Sequence, residues 1–578
     1  MCKAMRKNLP ILIITFIALF ISMPLFKSGL YQMHDDQQVA RLFLFDKSLA
    51  SGQLPVRWVD ELGFGYGYPL FVFYPPFVYL LGEIFHLSGF GFIDSIKLVF
   101  FTSILLSGIF MYIFVKNLWG KLAGLTSSIF YMIVPYRALD IYVRGALAES
   151  FSFVWLPAIL WSLYKLYKTN KSIYIYTSAI FLALLMITHN LIFLPFMLLL
   201  PIFMIYLISQ SESKKKLIVY SLLSFVYSLL LSAFFWIPAL LEKKYTIVDQ
   251  LLLANLADYK IHFVYPQQLW NWTWGFGGSS AGLLDGISFK IGKIHILTSI
   301  AAVILAFLAW LKNRHKFKSL FTIYHLPFIF FIMLVFSAFM TVSYSKFIWD
   351  IVKPLAYLQF PWRFLTFTAL FSSILAGGAV YLLRLSVLKV IVLPILLYFL
   401  FAPNLKFFKP QAYRPDLTNE IATSKRTINW NVSRTSFEYL PKGIKLVKNE
   451  LGANEVPIQK HDIPQEKVEV SNSTTQINNL NIKPHKVSFS LNSPEDSQVR
   501  VNVVNFPGWQ AHLDNSPLSI NDENPLKLIS LSIPKGNHNV KVEFKNTKVR
   551  STANLLSLFS IALVILLTFK KWLIFPKN

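Results

Sequence analysis

Apolar runs of about 18–22 residues recur along most of this chain, the length a helix needs to cross a hydrocarbon core of roughly 30 Å. They fall at 9–26, 95–116, 121–136, 150–167, 172–188, 190–208, 217–238, 292–311, 320–342, 362–383 and 387–403, with a last one at 552–570. Only 15% of the 578 residues are charged and 55% are hydrophobic, whereas soluble domains run nearer a quarter charged. The pattern predicts a polytopic α-helical membrane protein with about twelve transmembrane helices. A further apolar run, 69–88, is ambiguous, because Pro69, Pro75 and Pro76 interrupt a straight helix.

The formal net charge of +26 raises nucleic acid as a partner, but its placement argues against it. Lys and Arg gather in short loops between apolar runs, and no basic patch accompanies a recognisable reading module. If 69–88 crosses the membrane, the loops Lys165–Lys168, Lys214–Lys216 and Lys312–Lys318 all fall outside. If it is re-entrant or lies on the surface, all three fall inside, with Lys116, Lys121, Arg384, Lys389 and the tail Lys570–Lys571. The second arrangement obeys the positive-inside rule throughout. Both termini are then cytoplasmic in a multi-pass plasma (inner) membrane protein, and 9–26, preceded by Lys3, Arg6 and Lys7, reads as an uncleaved signal anchor. With Cys2 as the one cysteine, no intrachain disulfide is available to an outward domain.

Three large segments then face outward: 27–94, the Trp- and Gly-rich 239–291, and 404–551. The first two belong to a multi-span domain, 1–403. The third changes composition sharply. Alternation in Val499–Val504 and Val540–Phe544, with turn signals at Pro507-Gly508, Asp514-Asn515 and Lys535-Gly536, predicts a β-rich extracytoplasmic domain. Residues 552–578 supply a final helix and a basic tail. No Walker-A or Gly-x-Gly-x-x-Gly loop is present, which argues against ATP drive.

This topology gathers isolated charges on one side. Asp35 and Asp36 open the first outward loop after His34, and carboxylates beside a bilayer are costly unless solvated, paired or used. Arg137, Asp140 and Arg144, spaced i, i+3, i+7, share a face if their loop is helical, and Glu149 follows. His189 sits in a tight hairpin, and Trp362 with Arg363 opens another helix. Acids, guanidinium groups and an imidazole at one rim suit sugar transfer from a lipid-linked phosphate: a carboxylate takes the proton of an acceptor hydroxyl, and arginines hold the departing phosphate. Asp35 is the favoured base; Asp36 orients it or leaves a divalent cation, Mg or Mn, open as a cofactor. Each group has a plainer alternative. The Asp pair starts an amphipathic helix over about 36–50; Arg137, Asp140 and Arg144 form an ion-pair ladder; His189 bonds within its hairpin; Arg363 snorkels to headgroups.

Further stretches carry a resemblance. His34-Asp35, Ser51-Gly-Gln-Leu-Pro-Val-Arg-Trp58, Gly63-Phe-Gly-Tyr-Gly-Tyr-Pro69 with Phe73-Tyr-Pro75, and Leu358-Gln-Phe-Pro-Trp-Arg-Phe364 resemble bacterial membrane proteins labelled 6-pyruvoyl-tetrahydropterin synthase-related. Asn505-Phe-Pro-Gly-Trp-Gln-Ala-His-Leu-Asp514 and Leu531-Ser-Ile-Pro-Lys-Gly-Asn-His538 are similar to the end of YfhO-like proteins. Both groups resemble the GT-C superfamily of integral membrane glycosyltransferases. The resemblance implies a polyprenyl-phosphate-linked sugar donor, a glycan, lipid or protein acceptor of the cell envelope, and an inverting transfer on the outer face. It maps the superfamily's first-loop acid onto Asp35 or Asp36 and adds Arg57 and Trp58 to the substrate-binding candidates. The chain has no Asp-x-Asp pair there, and it carries Asp514-Asn515 where YfhO-like proteins commonly have Asp-Gly. Two other classes stay open: a transporter or flippase of lipid-linked sugars, which predicts charges near the bilayer midplane and paired repeats, and a non-catalytic envelope assembly protein.

Overall fold

The computed structural model describes residues 2–252, 258–313, 321–383, 386–448, 450, 452 and 454–574. Within these residues eight helices are long and apolar enough to cross a membrane: Asn8–Phe26, Phe92–Trp119, Leu147–Thr169, Asn190–Ser209, Lys293–Lys312, Pro361–Leu382, Val387–Phe407 and Lys548–Leu567. Lys214–Leu231 and Ala233–Leu241 are long and apolar enough only together, and meet at a 71° bend, as a broken span or a re-entrant loop does. The Ser232 hydroxyl sits at that break and donates back to the Ser228 carbonyl at 2.7 Å, competing with the main-chain ladder. The chain is a multi-pass membrane protein.

The expected runs all fall on helices, but not all have spanning length. Ile173–Thr188 and Tyr324–Phe339 are shorter apolar helices. The run 121–136 is corrected most: its helix covers only Lys121–Met132, because the chain must leave the helical ladder before Pro135. Residues 69–88 divide at Tyr74-Pro75-Pro76 into the helices Leu70–Phe73 and Phe77–Leu87. Most of the basic loop 312–318, and Arg384, lie outside the described residues.

Helices Leu147–Thr169 and Pro361–Leu382 form the buried centre of the bundle, and Val387–Phe407 lies at its periphery. Small residues set the central spacing. A Cβ on Gly377 would meet Ser127 Oγ at 2.1 Å and the Ala123 carbonyl oxygen at 2.6 Å, so only hydrogen there allows the helices to approach.

The polar segment near the C-terminus is β-rich, as its alternation predicts. One antiparallel sheet has the order Ser516–Leu518, Trp509–Leu513, Gly536–Phe544, Lys486–Ser493, Gln476–Lys483. A second orders Leu528–Ile533, Ser497–Val504, Val468–Val470. Their buried faces carry Val487, Phe489, Leu491, Val540 and Val542 in the first and Val499, Val501, Ile529 and Leu531 in the second.

The three large segments that charge assigned to one face meet each other. Leu30–Tyr31 pairs with Tyr413–Arg414 as a two-stranded ribbon. The Val504 N–H donates to the Tyr66 carbonyl at 2.9 Å, and the Ile247 N–H to the Leu440 carbonyl at 3.0 Å. The first loop is thus clamped between helices and strands, and the functional candidates lie beside it.

Candidate active site

The site begins where the helix Lys121–Met132 ends. Pro135 starts a short helix, Pro135–Leu139, and Asp140–Arg144 continue as a single π turn. Such turns hold an extra residue and recur at functional positions. Gly145 ends it at φ +67°; a Cβ there would fall 2.3 Å from Met33 Sδ. That close approach lets the first loop lie against the turn. The His34 N–H donates to the Val143 carbonyl at 3.0 Å, and the Asp35 N–H to the Arg144 carbonyl at 2.8 Å.

The π turn changes which side chains meet. Arg144 Nη1 donates to Asp140 Oδ1, and to Glu149 Oε2 at 2.9 Å. Glu149 is the hub. Its Oε1 accepts from the Tyr136 hydroxyl at 2.6 Å and the Thr366 hydroxyl at 3.2 Å, and its Oε2 lies 3.5 Å from Arg363 Nε. Arg144 lies over the Trp362 ring, 4.6 Å from its centroid. Glu149 therefore faces two guanidinium groups, which hold it ionised out of water, whereas burial and the charge of Glu149 push the Asp140 carboxyl well up. Burial works against the charge on Arg144, but Glu149 and Asp140 outweigh it and keep the group firmly protonated. Arg363 Nη1 donates to the Leu358 carbonyl at 2.7 Å, so Arg363 is anchored to protein and not extended toward headgroups.

Asp35 is half-buried and its charge reaches both Arg144 and Arg363, whereas Asp36 is exposed. The helix expected from about 36 runs over Gln38–Ala50, with no capping bond from a side chain at its start. His34 is exposed and bonds through Nε2 to the Phe276 carbonyl at 2.9 Å. His189 ends one helix and caps the next, its Nδ1 accepting from the Ile192 N–H at 3.1 Å. Burial pushes its imidazole down to about 3, so the ring is neutral.

Three sequence candidates lie elsewhere. Arg137 points into the bundle, donates to Ser107 Oγ at 2.7 Å and sits 4.4 Å from the Phe153 ring centroid. The i, i+3, i+7 reading assumed one regular helix, and the π turn breaks that register. Arg57 donates to the Phe234 carbonyl at 2.9 Å and to Asn554 Oδ1 at 2.7 Å, tying the first loop to the last helix. Trp58 is fully buried and packs edge-on against Trp509, with ring centroids 5.2 Å apart, leaving no face for a substrate.

A cavity of about 540 Å³ adjoins the charged cluster, lined by His189 and Arg363. Its walls are mostly apolar, from residues such as Phe193, Leu194, Phe235, Trp236 and Leu240. Sequence reasoning missed Lys243 and Glu438 in its lining, and Tyr136 and Thr366 behind it. A Lys pair in a segment expected to face outward, against the positive-inside trend, was the signal for Lys243; a lone acid between Phe437 and Tyr439 was the signal for Glu438. Burial pushes the Glu438 carboxyl up, opposed by the charge of Arg41.

Among the described residues no group of three or more His, Cys, Asp or Glu side chains converges. Asp35 and Asp36 are the residues that would hold a divalent cation, which would take its remaining oxygen ligands from water or a phosphate, and two guanidinium groups lie within electrostatic reach of Asp35.

No family model and no curated protein matches the chain. Solved structures similar to it include the arabinofuranosyltransferase AftD from Mycobacteria, at 12% identity and TM-score 0.45 over 70% of this chain and 27% of that one. The archaeal oligosaccharyltransferase AglB from Archaeoglobus fulgidus, solved with an inhibitory peptide and a dolichol-phosphate, is similar at 13% identity and TM-score 0.44 over 72% of this chain and 56% of that one. The chain thus spans about a quarter and about half of these two proteins.

Proposed function

We propose that this protein is a GT-C-type membrane glycosyltransferase that moves a sugar from a polyprenyl-phosphate-linked donor to a cell-envelope acceptor on the outer face, with inversion. The cavity is the observation that carries the reading: its apolar walls suit a lipid chain, and Arg363 and Lys243 supply cations where a phosphate would depart. Asp35 is the proposed base; its main-chain bond to Arg144 sets it at the charged cluster that adjoins the cavity through Arg363. Attack of the acceptor oxygen on the anomeric carbon breaks the bond to phosphate; the hydroxyl proton passes to the carboxylate, and the phosphate leaves as an anion. Arg144, with Asp140, Glu149, Tyr136 and Thr366, keeps the loop and Arg363 in place. In this reading the β-rich segment faces outward and both termini face the cytoplasm.

A flippase of lipid-linked sugars would place its working charges near the bilayer midplane. Here Glu149 and Arg363 stand in the first turns of their helices, which favours surface chemistry. The test is transfer from a polyprenyl-phosphate sugar by wild type, Asp35→Asn and Asp36→Asn. Asp35→Asn is expected to lose about 10²–10⁴-fold in kcat, the usual share of a general base, and Asp36→Asn only a few-fold. Unchanged turnover in both variants removes the base assignment.

A further inference from the structure

Glu438 belongs to the stretch between the helix Val387–Phe407 and the β-sheets, yet it lines the cavity with Arg363, His189 and Lys243. It is the one carboxylate among the described lining residues. Its position is fixed on both sides. Arg41 Nη2 donates to Ser436 Oγ at 2.9 Å, and the Tyr439 N–H donates to the Tyr68 hydroxyl at 2.8 Å. The Tyr439 ring stacks on Phe73 with centroids 5.0 Å apart. Pro441 bridges Thr246. The half-buried carboxylate is held by the charge of Arg41 and by the Tyr68 hydroxyl, and with those partners it still lines the cavity.

The charges lining the cavity differ by segment. Lys243 and Arg363 flank transmembrane helices, whereas Glu438 belongs to the β-rich segment's lead-in. A phosphate is repelled by a carboxylate at close range and drawn to the cations. The ligand that suits Glu438 is therefore the other reactant: a neutral group that donates a hydrogen bond. A sugar hydroxyl next to the attacking one is such a group, and its bond to a charged acceptor orients the ring that carries the nucleophile, leaving the reacting proton to Asp35.

We infer that Glu438 binds the acceptor, a hydroxyl-bearing glycan, and that the β-rich segment thereby contributes directly to the transfer site. This rests on reading the cavity as that site. It adds a residue outside the helical bundle, and a defined acceptor class.

Full-length protein in lipid nanodiscs tests it with two probes. Polyprenyl phosphate, followed through quenching of tryptophan fluorescence, reports the donor side, since Trp236 lines the cavity. Methyl glycosides of common hexoses, followed by protection against thermal unfolding and as acceptors in the transfer assay, report the acceptor side. Glu438→Gln is expected to weaken glycoside protection and raise the acceptor KM by about 10- to 100-fold, the range for losing a bond to a charged group. Polyprenyl phosphate binding stays unchanged, and Glu438→Asp recovers part of the loss. The inference is overturned if Glu438→Gln protects like wild type, if polyprenyl phosphate binding falls in parallel, or if no glycoside protects the wild type. Loss of turnover in Asp35→Asn with glycoside protection intact separates this from the base assignment.

Discussion

Asp35 and Arg144 are joined through their main chains: the Asp35 N–H donates to the Arg144 carbonyl at 2.8 Å across 109 positions of sequence. The bond brings the first loop's acid to a guanidinium already shared by Asp140 and Glu149. The charged cluster and the proposed base are thereby one assembly, and disturbing the turn that carries Arg144 should disturb both.

Gly145 is the most sensitive point of that assembly. Gly145→Ala places a Cβ 2.3 Å from Met33 Sδ at a φ of +67°. Backbone strain of this kind costs about 1–3 kcal/mol, so the melting temperature falls, and transfer falls further because Asp35 loses its seat. Equal melting temperatures for wild type and variant would show that Met33 moves aside freely.

Glu149→Gln keeps the shape and removes the charge that balances Arg144 and Arg363. Breaking one side of a buried ion pair costs about 3–5 kcal/mol, so the variant is expected to unfold far more readily in detergent. Thr366→Val, which removes one long hydrogen bond (3.2 Å) to the other carboxylate oxygen, Oε1, should cost less, about 1.5 kcal/mol. Thermal unfolding of both variants checks the contrast.

The neutral His189 makes stability depend on pH. Its imidazole titrates near 6.5 when unperturbed and at about 3 in the fold, because burial disfavours the cation. Below the first value the unfolded chain takes up a proton that the folded chain refuses, so stability falls as pH drops from about 6.5 toward 3. His189→Asn, which caps a helix without titrating, should flatten that slope in melting temperatures measured between neutral and acid pH. A slope unchanged by the substitution would assign it to other groups.

Prolonged treatment with a chelator is expected to leave transfer unchanged, since the described residues bring no third metal-binding side chain to Asp35 and Asp36. A loss restored by Mg or Mn would mean that the donor phosphate completes a cation site on this pair.

Much of the architecture was legible in composition and order. Long apolar runs fold as helices wherever water is excluded, since no other local structure closes their hydrogen bonds. Alternation such as that in Val499–Val504 marked the strands. Where lysines and arginines stood put 27–94, 239–291 and 404–551 on one expected face; that the three meet is seen only in the fold. Of the site, Asp140, Arg144, Glu149 and Arg363 were recoverable as charges that an apolar bundle must pair.

Contacts across long separations were decided only by the tertiary structure. Arg137 shares the charge of Arg144 and the same short loop, yet a single π turn sends one to Ser107 and the other to Glu149. Arg57 and Trp58 sit in a motif-like stretch but serve packing, because the last helix and Trp509 happen to cover them. Glu438 reaches the cavity because its segment folds back onto Phe73 and Tyr68. Local chemistry specifies what each stretch becomes; which distant side chains share one low-dielectric pocket depends on packing that no local pattern encodes.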